Sequence, residues 1–228
     1  MYSKRSKNPI KLNSILFYIL IFFLNLSNAA SVSITSPSNR LQKQINDLSN
    51  IIKKGTKVST NLLPSPFDYL LTQPLMTIGI EKYYKRTPII QTIYASRNQH
   101  NATYSRVIIM FIDGNKKRNN AKRALEIKEA VPVELAFITF NFEELPKDIK
   151  LDILNTNIPF GKLLVTHHLK TSYRDRIYFS VECNNFLAPL VHCNLNSKLY
   201  GRTNTIVRTD NKKWIAHIVE ILPLANGK

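Results

Sequence analysis

Cysteine is scarce in this sequence, with only Cys183 and Cys193 among 228 residues. Two cysteines allow at most one disulfide, which would form in an oxidising compartment; elsewhere both would be buried thiols. Three histidines, at positions 167, 168 and 192, lie near them in the chain, but the spacing matches neither C-x-x-C nor H-x-x-x-H. The sequence therefore predicts no metal site.

Acidic residues are also few. The sequence has 15 Asp and Glu against 32 Lys and Arg, which gives a net charge of +17. Such a charge favours nucleic acid, an anionic membrane surface or small anions as partners, although the abundance of Lys, Asn and Ile also has an explanation in an AT-rich genome. No helix-turn-helix pattern occurs in the first 60 residues, which argues against a DNA-binding regulator.

The first 29 residues have the pattern of a targeting segment. Basic residues at positions 4, 5, 7 and 11 precede the apolar run ILFYILIFFLNL, and small residues follow at 27–29. This arrangement resembles a signal peptide. Residues 12–32 carry no charge and are about as long as a membrane span, so an uncleaved anchor that associates the protein with a membrane is the alternative. A buried N-terminal helix is a third interpretation.

The rest of the chain predicts one domain made of strands and short helices. Residues 30–63 read as a polar linker and an amphipathic helix with apolar positions 41, 45, 48 and 52, and residues 64–225 as the domain. Helices are predicted from Ser65-Pro66, over 76–84 and after 143; strands are predicted over 88–94, 107–112, 133–142 and 176–182, followed by a hairpin over 199–223. This order indicates an α+β fold, a single antiparallel sheet of about six strands with helices on one face. A doubly wound parallel sheet is less favoured, because long crossover helices are missing.

A basic insertion interrupts the strand pattern at residues 115–130. It carries Lys116, Lys117, Arg118, Lys122 and Arg123. A nucleic-acid patch is one interpretation, but no aromatic residues alternate with the charges to stack on bases. A solvated loop, helical in its second half, is therefore the preferred interpretation, and no nucleic-acid partner is expected.

The C-terminal hairpin places one charge near each of its far ends. A three-residue loop at Asp210–Lys212 would set Arg202 opposite Glu220 on one face, whereas a two- or four-residue loop would separate them unless a bulge intervened. An acidic residue in an apolar strand needs either a partner of opposite charge or a functional role. From this stretch alone, an ordinary cross-strand ion pair and a functional pair are equally good interpretations.

A likeness to a known family is carried by four short motifs: NIPFGKLL (157–164), TSYRD (171–175), LYGR (199–202) and HIVEILP (217–223). Their order and spacing resemble the chorismate pyruvate-lyase family. Two upstream segments, PLMTIGIEKYYKRTP (74–88) and SRVIIMFIDG (105–114), are similar to that family's early helix and first long strand. The likeness covers about residues 64–223 and is greatest to the cyanobacterial and red-algal plastid-encoded branch.

The resemblance implies a six-stranded antiparallel sheet with flanking helices around an enclosed ligand pocket. It also implies cofactor-free elimination of pyruvate from chorismate, which leaves 4-hydroxybenzoate for quinone synthesis. The expected ligand is an aromatic or cyclohexadiene carboxylate, and the expected protein is a monomer located in a plastid. Export to a periplasm or beyond, through the signal-like N-terminus, is the alternative location.

The resemblance also suggests site residues. A guanidinium can hold a carboxylate by two parallel hydrogen bonds, which makes Arg202 and Arg174 the candidates for binding substrate. Glu220 matches the family glutamate that contacts the ring hydroxyl and is the candidate catalytic residue. Phe160 and Gly161 match a turn whose backbone lines the pocket.

One departure from the family pattern leaves catalysis open. A gap-free alignment puts Phe137 where the bacterial enzymes have a carboxylate-binding arginine, and Arg123 would replace it only if the register slipped. The function expected first is chorismate pyruvate-lyase, and the alternative is a non-catalytic binder of an aromatic carboxylate on the same scaffold. A basic nucleic-acid-associated protein is a third reading that rests on charge alone.

Overall fold

The computed structural model describes residues 55–98, 100 and 102–223, which form an α+β fold around one antiparallel sheet. The sheet order is β1-β5-β6-β7-β4-β3-β2. The strands are β1 (Thr56–Val58), β2 (Ile89–Asn98), β3 (Thr103–Asp113), β4 (Ala130–Asn141), β5 (Thr171–Glu182), β6 (Lys198–Arg208) and β7 (Trp214–Leu222). The helices are α1 (Phe67–Thr72), α2 (Met76–Tyr84), α3 (Ala121–Glu126), α4 (Lys147–Asn155), α5 (Phe160–Thr166) and α6 (Leu187–Val191).

The predicted single antiparallel sheet is confirmed. Six long strands match the predicted number, and the seventh strand is β1, which pairs with Tyr178–Ser180 at the edge of the sheet. This strand and a short 3-10 helix, Thr60–Leu62, lie in the segment that was predicted as linker. The predicted targeting segment at 1–29 and the predicted helix through Leu41 and Ile52 lie outside the described residues.

The main core lies between one face of the sheet and four helices. Helices α1, α2, α4 and α5 bury their apolar faces there, and this burial is what stabilises such short helices. The helix predicted after residue 143 is present as α4; its Ile149 and Ile153 are buried, and Leu145 lies with them. Sheet residues such as Ile108 and Phe140 complete this cluster.

A smaller cluster covers part of the opposite face. Leu187 and Val191 of α6 pack there against Leu135 and Ile221, and α3 adds Leu125. Cys183 and Cys193 form a disulfide that closes the segment containing α6. Part of this second face is therefore covered by two short helices.

The hairpin β6–β7 sets Arg202 directly opposite Glu220, as predicted. The route differs from the expected three-residue loop, because the hydrogen bond from Arg208 N to Lys213 O closes a loop over residues 209–212. A bulge between Ile206 and Val207 restores the register. A bulge adds one residue to one strand and so changes which face the following side chains occupy.

The basic insertion is a loop followed by α3, so the predicted helix in its second half is present. Arg118 holds this loop by pairing with the buried carboxylate of Asp113 at 2.7 Å. Arg123 is exposed and pairs with Glu126. Among the helices that the structure describes, none is long and apolar enough to cross a membrane. In the same part of the chain, no three His, Cys, Asp or Glu side chains group together as a metal site requires.

Candidate functional site

A pocket lies between the helix-covered face of the sheet and the first residues of α2 and α5. Its free volume is about 30 Å³, enough for one or two water molecules. The residues that line it are Pro74–Thr77 and Pro159–Gly161 on the helical side, and Ile90, Arg106, Ile108, Met110, Glu134, Ile138, Arg202, Asn204, Ile206, Ile218 and Glu220 on the sheet. Four of the residues that the sequence analysis assigned to a ligand site thus line one pocket: Phe160, Gly161, Arg202 and Glu220.

Arg202 is buried and already has partners within the protein. Its Nε donates to Oε2 of Glu220, and its Nη1 donates to the carbonyl oxygens of Leu71, at 2.7 Å, and Gln73. Burial lowers the pKa of Arg202, but the adjacent Glu220 carboxylate outweighs this effect, so the pKa lies above its usual value. Arg202 therefore ties β7 to the connector between α1 and α2 (residues 73–75). Its role in holding a ligand carboxylate stays a prediction.

Arg106 is a second buried arginine in the pocket, and the sequence analysis missed it. Only 2% of its surface is exposed, and the one hydrogen bond of its side chain within the described residues runs from Nη1 to the carbonyl oxygen of Ile153 at 3.2 Å. Nε and Nη2 have no hydrogen-bond partner among the described residues. The ring of Phe140 lies 5.3 Å from the guanidinium carbon. Burial lowers the pKa of Arg106 to about 10, so the side chain still carries its charge at neutral pH.

The two unpaired nitrogens of Arg106 form one binding edge. The Nε–H and Nη2–H bonds of a guanidinium are nearly parallel, and this edge matches the two oxygens of a carboxylate. Arg106 was detectable in the sequence, because it stands alone in the apolar strand SRVIIMFI. A charge in such a strand needs a partner, which is the argument that had singled out Glu220.

Glu134 is the second residue that the sequence analysis missed. It is 3% exposed, and its Oε2 has no hydrogen-bond partner in the described part of the chain. Burial raises the pKa of Glu134 well above its usual range, and the neighbouring Glu220 charge raises it further, while Arg202 acts in the opposite direction. A carboxyl group in this environment holds its proton at pH values where an exposed glutamate is ionised. Like Arg106, Glu134 was detectable in the sequence, because it is the single charged residue in the apolar segment VPVELAFITF.

Phe160 and Gly161 begin helix α5, in the segment that was predicted as a turn. Phe160 meets Phe140 edge to face at 4.8 Å between ring centres. A side chain on Gly161 would place its Cβ 3.0 Å from Oγ1 of Thr77. The glycine therefore lets α5 approach the start of α2 closely, which sets the width of the pocket.

Arg174 does not line this pocket, and its role in binding a ligand stays a prediction. It pairs with Thr205, whose hydroxyl bonds to His217 on the face of the sheet away from Arg202. A bulge between Arg174 and Ile177 reverses which residues of β5 face the helices. The Arg174 side chain is consequently 53% exposed, with its nearest carboxylate, Asp175, 3.8 Å away.

Phe137 also lies on the far face. It pairs with Val219 and packs in the smaller cluster with residues such as Leu135. A side chain at position 137 cannot reach the pocket from there, whichever residue occupies it, because alternate residues of a strand face opposite sides. The arginine that does reach the pocket from the neighbouring strand is Arg106.

The arrangement is suited to binding a small anion with a further polar group. Judged by the described residues, the pocket holds a buried cation with two unpaired donors, a carboxyl group with an unpaired oxygen, and the unpaired Oδ1 of Asn204. Buried polar groups without partners are costly, so a ligand that satisfies them gains affinity. The remaining walls are apolar.

Comparison with known proteins gives only remote structural likeness. No family model matches this sequence, and no curated protein matches it. Among solved structures, the gene product SA0254 from Staphylococcus aureus gives a TM-score of 0.46 at 9% identity, covering 69% of this chain and 93% of its own. PhnF from Mycobacterium smegmatis gives 0.45 at 8% identity, covering 68% and 65%. A structure described as the ligand-binding domain of a GntR-family transcriptional regulator from Bordetella bronchiseptica gives 0.40 at 8% identity, covering 61% and 87%.

Proposed function

We propose that the described domain binds a small organic carboxylate, an aromatic or cyclohexadiene acid, in the pocket beside Arg106. The observation that carries this proposal is the unpaired edge of the buried Arg106 guanidinium. A buried charge without a partner is costly to keep. A carboxylate supplies both the opposite charge and two acceptors with matching geometry.

The other walls fit a ring with a polar substituent. Met76, Ile90, Ile108, Ile138 and Phe160 provide apolar surface around the space. Asn204 Oδ1 accepts a hydrogen bond from a ligand hydroxyl, and the unpaired Oε2 of Glu134 offers a further polar contact. A small-molecule site usually has a small number of polar groups that converge in an otherwise apolar cavity.

A ring compound needs more than 30 Å³, so binding requires a wall of the pocket to move. The connector at 73–75 is the loop portion of that wall. Arg202 holds it through the carbonyls of Leu71 and Gln73, and Arg176 holds the adjacent carbonyl of Thr72 at 3.3 Å. Exchange of these hydrogen bonds is the expected step of ligand access.

The second candidate function is chorismate pyruvate-lyase, and the proximity of Arg106, Glu134 and Glu220 favours it. In this reaction the ether C–O bond breaks, a ring proton moves to the departing enolpyruvyl methylene, and the ring becomes aromatic. The protein needs to orient the substrate and stabilise charge. Chorismate has two carboxylates, however, and turnover would require Arg202 to exchange one of its carbonyl partners for the second.

Incubation of the full-length chain with chorismate separates the two candidates. Binding of 4-hydroxybenzoate and chorismate is measured by titration calorimetry, and release of 4-hydroxybenzoate and pyruvate is followed by chromatography. Binding without product supports the first proposal, and product formation supports the second. If neither 4-hydroxybenzoate nor chorismate bound, both candidate functions would be overturned.

Glu220→Gln is not a clean test of catalysis. Glu220 neutralises the buried Arg202, and removing one partner of a buried ion pair destabilises a protein by about 3–5 kcal/mol. Loss of turnover in that variant would therefore be accompanied by loss of folding. Glu134→Gln is the better variant, because no ion pair in the described part of the chain depends on Glu134.

A further inference from the structure

The charged groups of the pocket do not balance one another. Arg106, Glu134, Arg202 and Glu220 are the ionisable side chains among its lining residues, all from the sheet. The lining residues of α2, of α5 and of the connector are uncharged: Pro74, Leu75, Met76, Thr77, Pro159, Phe160 and Gly161. The charge state of the pocket is therefore set by two arginines and two glutamates.

Arg202 and Glu220 compensate each other. Their ion pair is buried, and Nη1 of Arg202 is occupied by two backbone carbonyls. No ion pair within the described ranges joins Glu134 to either arginine. Glu134 thus shares the pocket with a second carboxylate while lacking a cation of its own, and this arrangement favours its neutral form.

Arg106 is then the one uncompensated charge. With Glu134 neutral, the four side chains sum to one positive charge. A ligand with one negative charge neutralises the pocket, whereas a ligand with two leaves an excess negative charge in a buried space. Ionisation of Glu134 has the same effect as a second ligand charge, because it adds a like charge beside the bound carboxylate.

We propose that Glu134 determines ligand specificity: the pocket accepts a monocarboxylate together with a proton held on Glu134, and it rejects dicarboxylates. This inference rests on the proposed binding function and adds the charge of the ligand and the proton that accompanies it. It is incompatible with the second candidate function, because chorismate has two carboxylates. Arg106 supplies the attraction for the anion. Glu134 limits the anionic charge to one.

The proton makes affinity depend on pH in one direction. The bound state retains the proton on Glu134, so raising the pH above the titration of Glu134 in the free protein lowers affinity. The limiting dependence is about tenfold in Kd per pH unit for one linked proton. At pH values below the titration of Glu134 in the free protein, the affinity for an ionised ligand does not change with pH.

The test uses the full-length chain and two probes of similar size, 4-hydroxybenzoate and terephthalate. Exposed carboxyl groups titrate near pH 4 and phenols near 10, so the first probe stays a monoanion and the second a dianion from about pH 5.5 to 8.5. Titration calorimetry across this range gives the affinities. Repeating it in buffers of different ionisation enthalpy gives the number of protons taken up.

We expect 4-hydroxybenzoate to bind more weakly as pH rises, with proton uptake, and terephthalate to bind at least tenfold more weakly than 4-hydroxybenzoate at the acidic end. Glu134→Gln, which carries a neutral side chain of the same shape, should lose the pH dependence of the affinity for 4-hydroxybenzoate. Glu182→Gln, an exposed site on β5, is the matched control and should behave as wild type.

Each other result has a distinct meaning. A pH-independent affinity in the wild type, an unchanged pH profile in Glu134→Gln, or equal binding of terephthalate would overturn the inference and leave the binding function standing. Absence of 4-hydroxybenzoate binding at every pH would overturn the binding function itself. The proton count in the wild-type protein decides the question even if Glu134→Gln fails to fold.

Discussion

At the scale of single side chains, Arg106 and Glu134 lower the stability of the fold. Each is buried with a polar atom that the described protein does not satisfy. Unpaired groups of this kind lower stability, so their presence in a pocket is more readily explained by a ligand than by packing. Arg202 and Glu220, in contrast, satisfy each other.

Replacing Arg106 by methionine should separate binding from folding. Arg106→Met removes the charge and keeps a side chain of comparable length, so 4-hydroxybenzoate should bind about 30- to 150-fold more weakly, or about 2–3 kcal/mol. The free energy of unfolding should not fall, because an unpaired buried charge is lost. Calorimetric titration and urea denaturation measure the two effects.

The control for this prediction is Arg97→Met, at an exposed site on β2. An Arg106→Met protein that binds 4-hydroxybenzoate with the wild-type affinity would refute the role of Arg106.

Glu134 should make stability depend on pH in the absence of ligand. The folded-state pKa of Glu134 is raised, so the folded protein holds a proton that the unfolded chain releases near pH 4.5. Its contribution to stability is full below the unfolded pKa and is lost as pH rises through the folded pKa. Glu134→Gln should therefore have a higher Tm than the wild type at alkaline pH, and the difference should shrink toward pH 4.5. A difference that grew on acidification would contradict this assignment.

The β6–β7 hairpin is the element that holds the buried pair in place. Its close contact with β5 requires a glycine at 201, where an added Cβ would lie within 2.6 Å of the Phe179 ring and closer still to the backbone oxygen of Glu220. Relief of the clash with the Glu220 oxygen moves β7, and with it the Glu220 side chain. The glycine in the LYGR motif thus acts by permitting strand packing.

Gly201→Ala should consequently be severe for so small a change. We expect a loss of about 3 kcal/mol or more in the free energy of unfolding, at the upper end of overpacking effects. Phe179→Leu in the same protein should recover part of this loss, because it shortens the ring that covers the glycine. Urea denaturation measures both. Thr203→Ala, two residues along the same strand, is the control, and a fully stable Gly201→Ala protein would show that the strands are not so closely packed.

Helices α4 and α5 are joined by a histidine that responds to pH. Nδ1 of His167 lies 2.9 Å from Asp148 and Nε2 lies 2.7 Å from Asp152. The hydrogen bond with Asp152, followed by the contacts with Asp148, raises the pKa of His167. Because α5 begins at Phe160 in the pocket wall, this contact also supports the pocket.

The sign of the His167 effect follows from its raised pKa. Its contribution to stability is full below the ordinary histidine pKa of about 6.5 and is lost as pH rises through the folded-state value. His167→Gln should lower the Tm at about pH 5.5 and have a smaller effect at about pH 8. His100→Gln, at an exposed site, is the control. A larger effect at alkaline pH would mean that the histidine is neutral in this contact.

For the whole molecule, the sequence predicted the sheet and part of the pocket. Alternating and apolar strands with turn residues between them identify six strands, and the hairpin pairing places Arg202 opposite Glu220. The sequence does not show that Arg174 faces away from this pocket, because the bulge after it inserts one residue without leaving a mark in a two-residue pattern. Arg106 and Glu134 were visible as lone charges in apolar strands, but only the folded sheet shows that both reach the same space. The plastid location and the targeting role of the first 29 residues stay predictions.

The most direct test of the proposed carboxylate site compares the binding of an acid with the binding of its uncharged analogue. The full-length protein is titrated at about pH 6 with 4-hydroxybenzoate and with 4-hydroxybenzamide, which keeps the ring and hydroxyl but has no carboxylate. If Arg106 binds a carboxylate here, the acid binds and the amide binds at least about 30-fold more weakly, the loss of a charged hydrogen-bond pair. Equal affinity for the two compounds, or no binding of the acid, would contradict the assignment of this pocket as a carboxylate site.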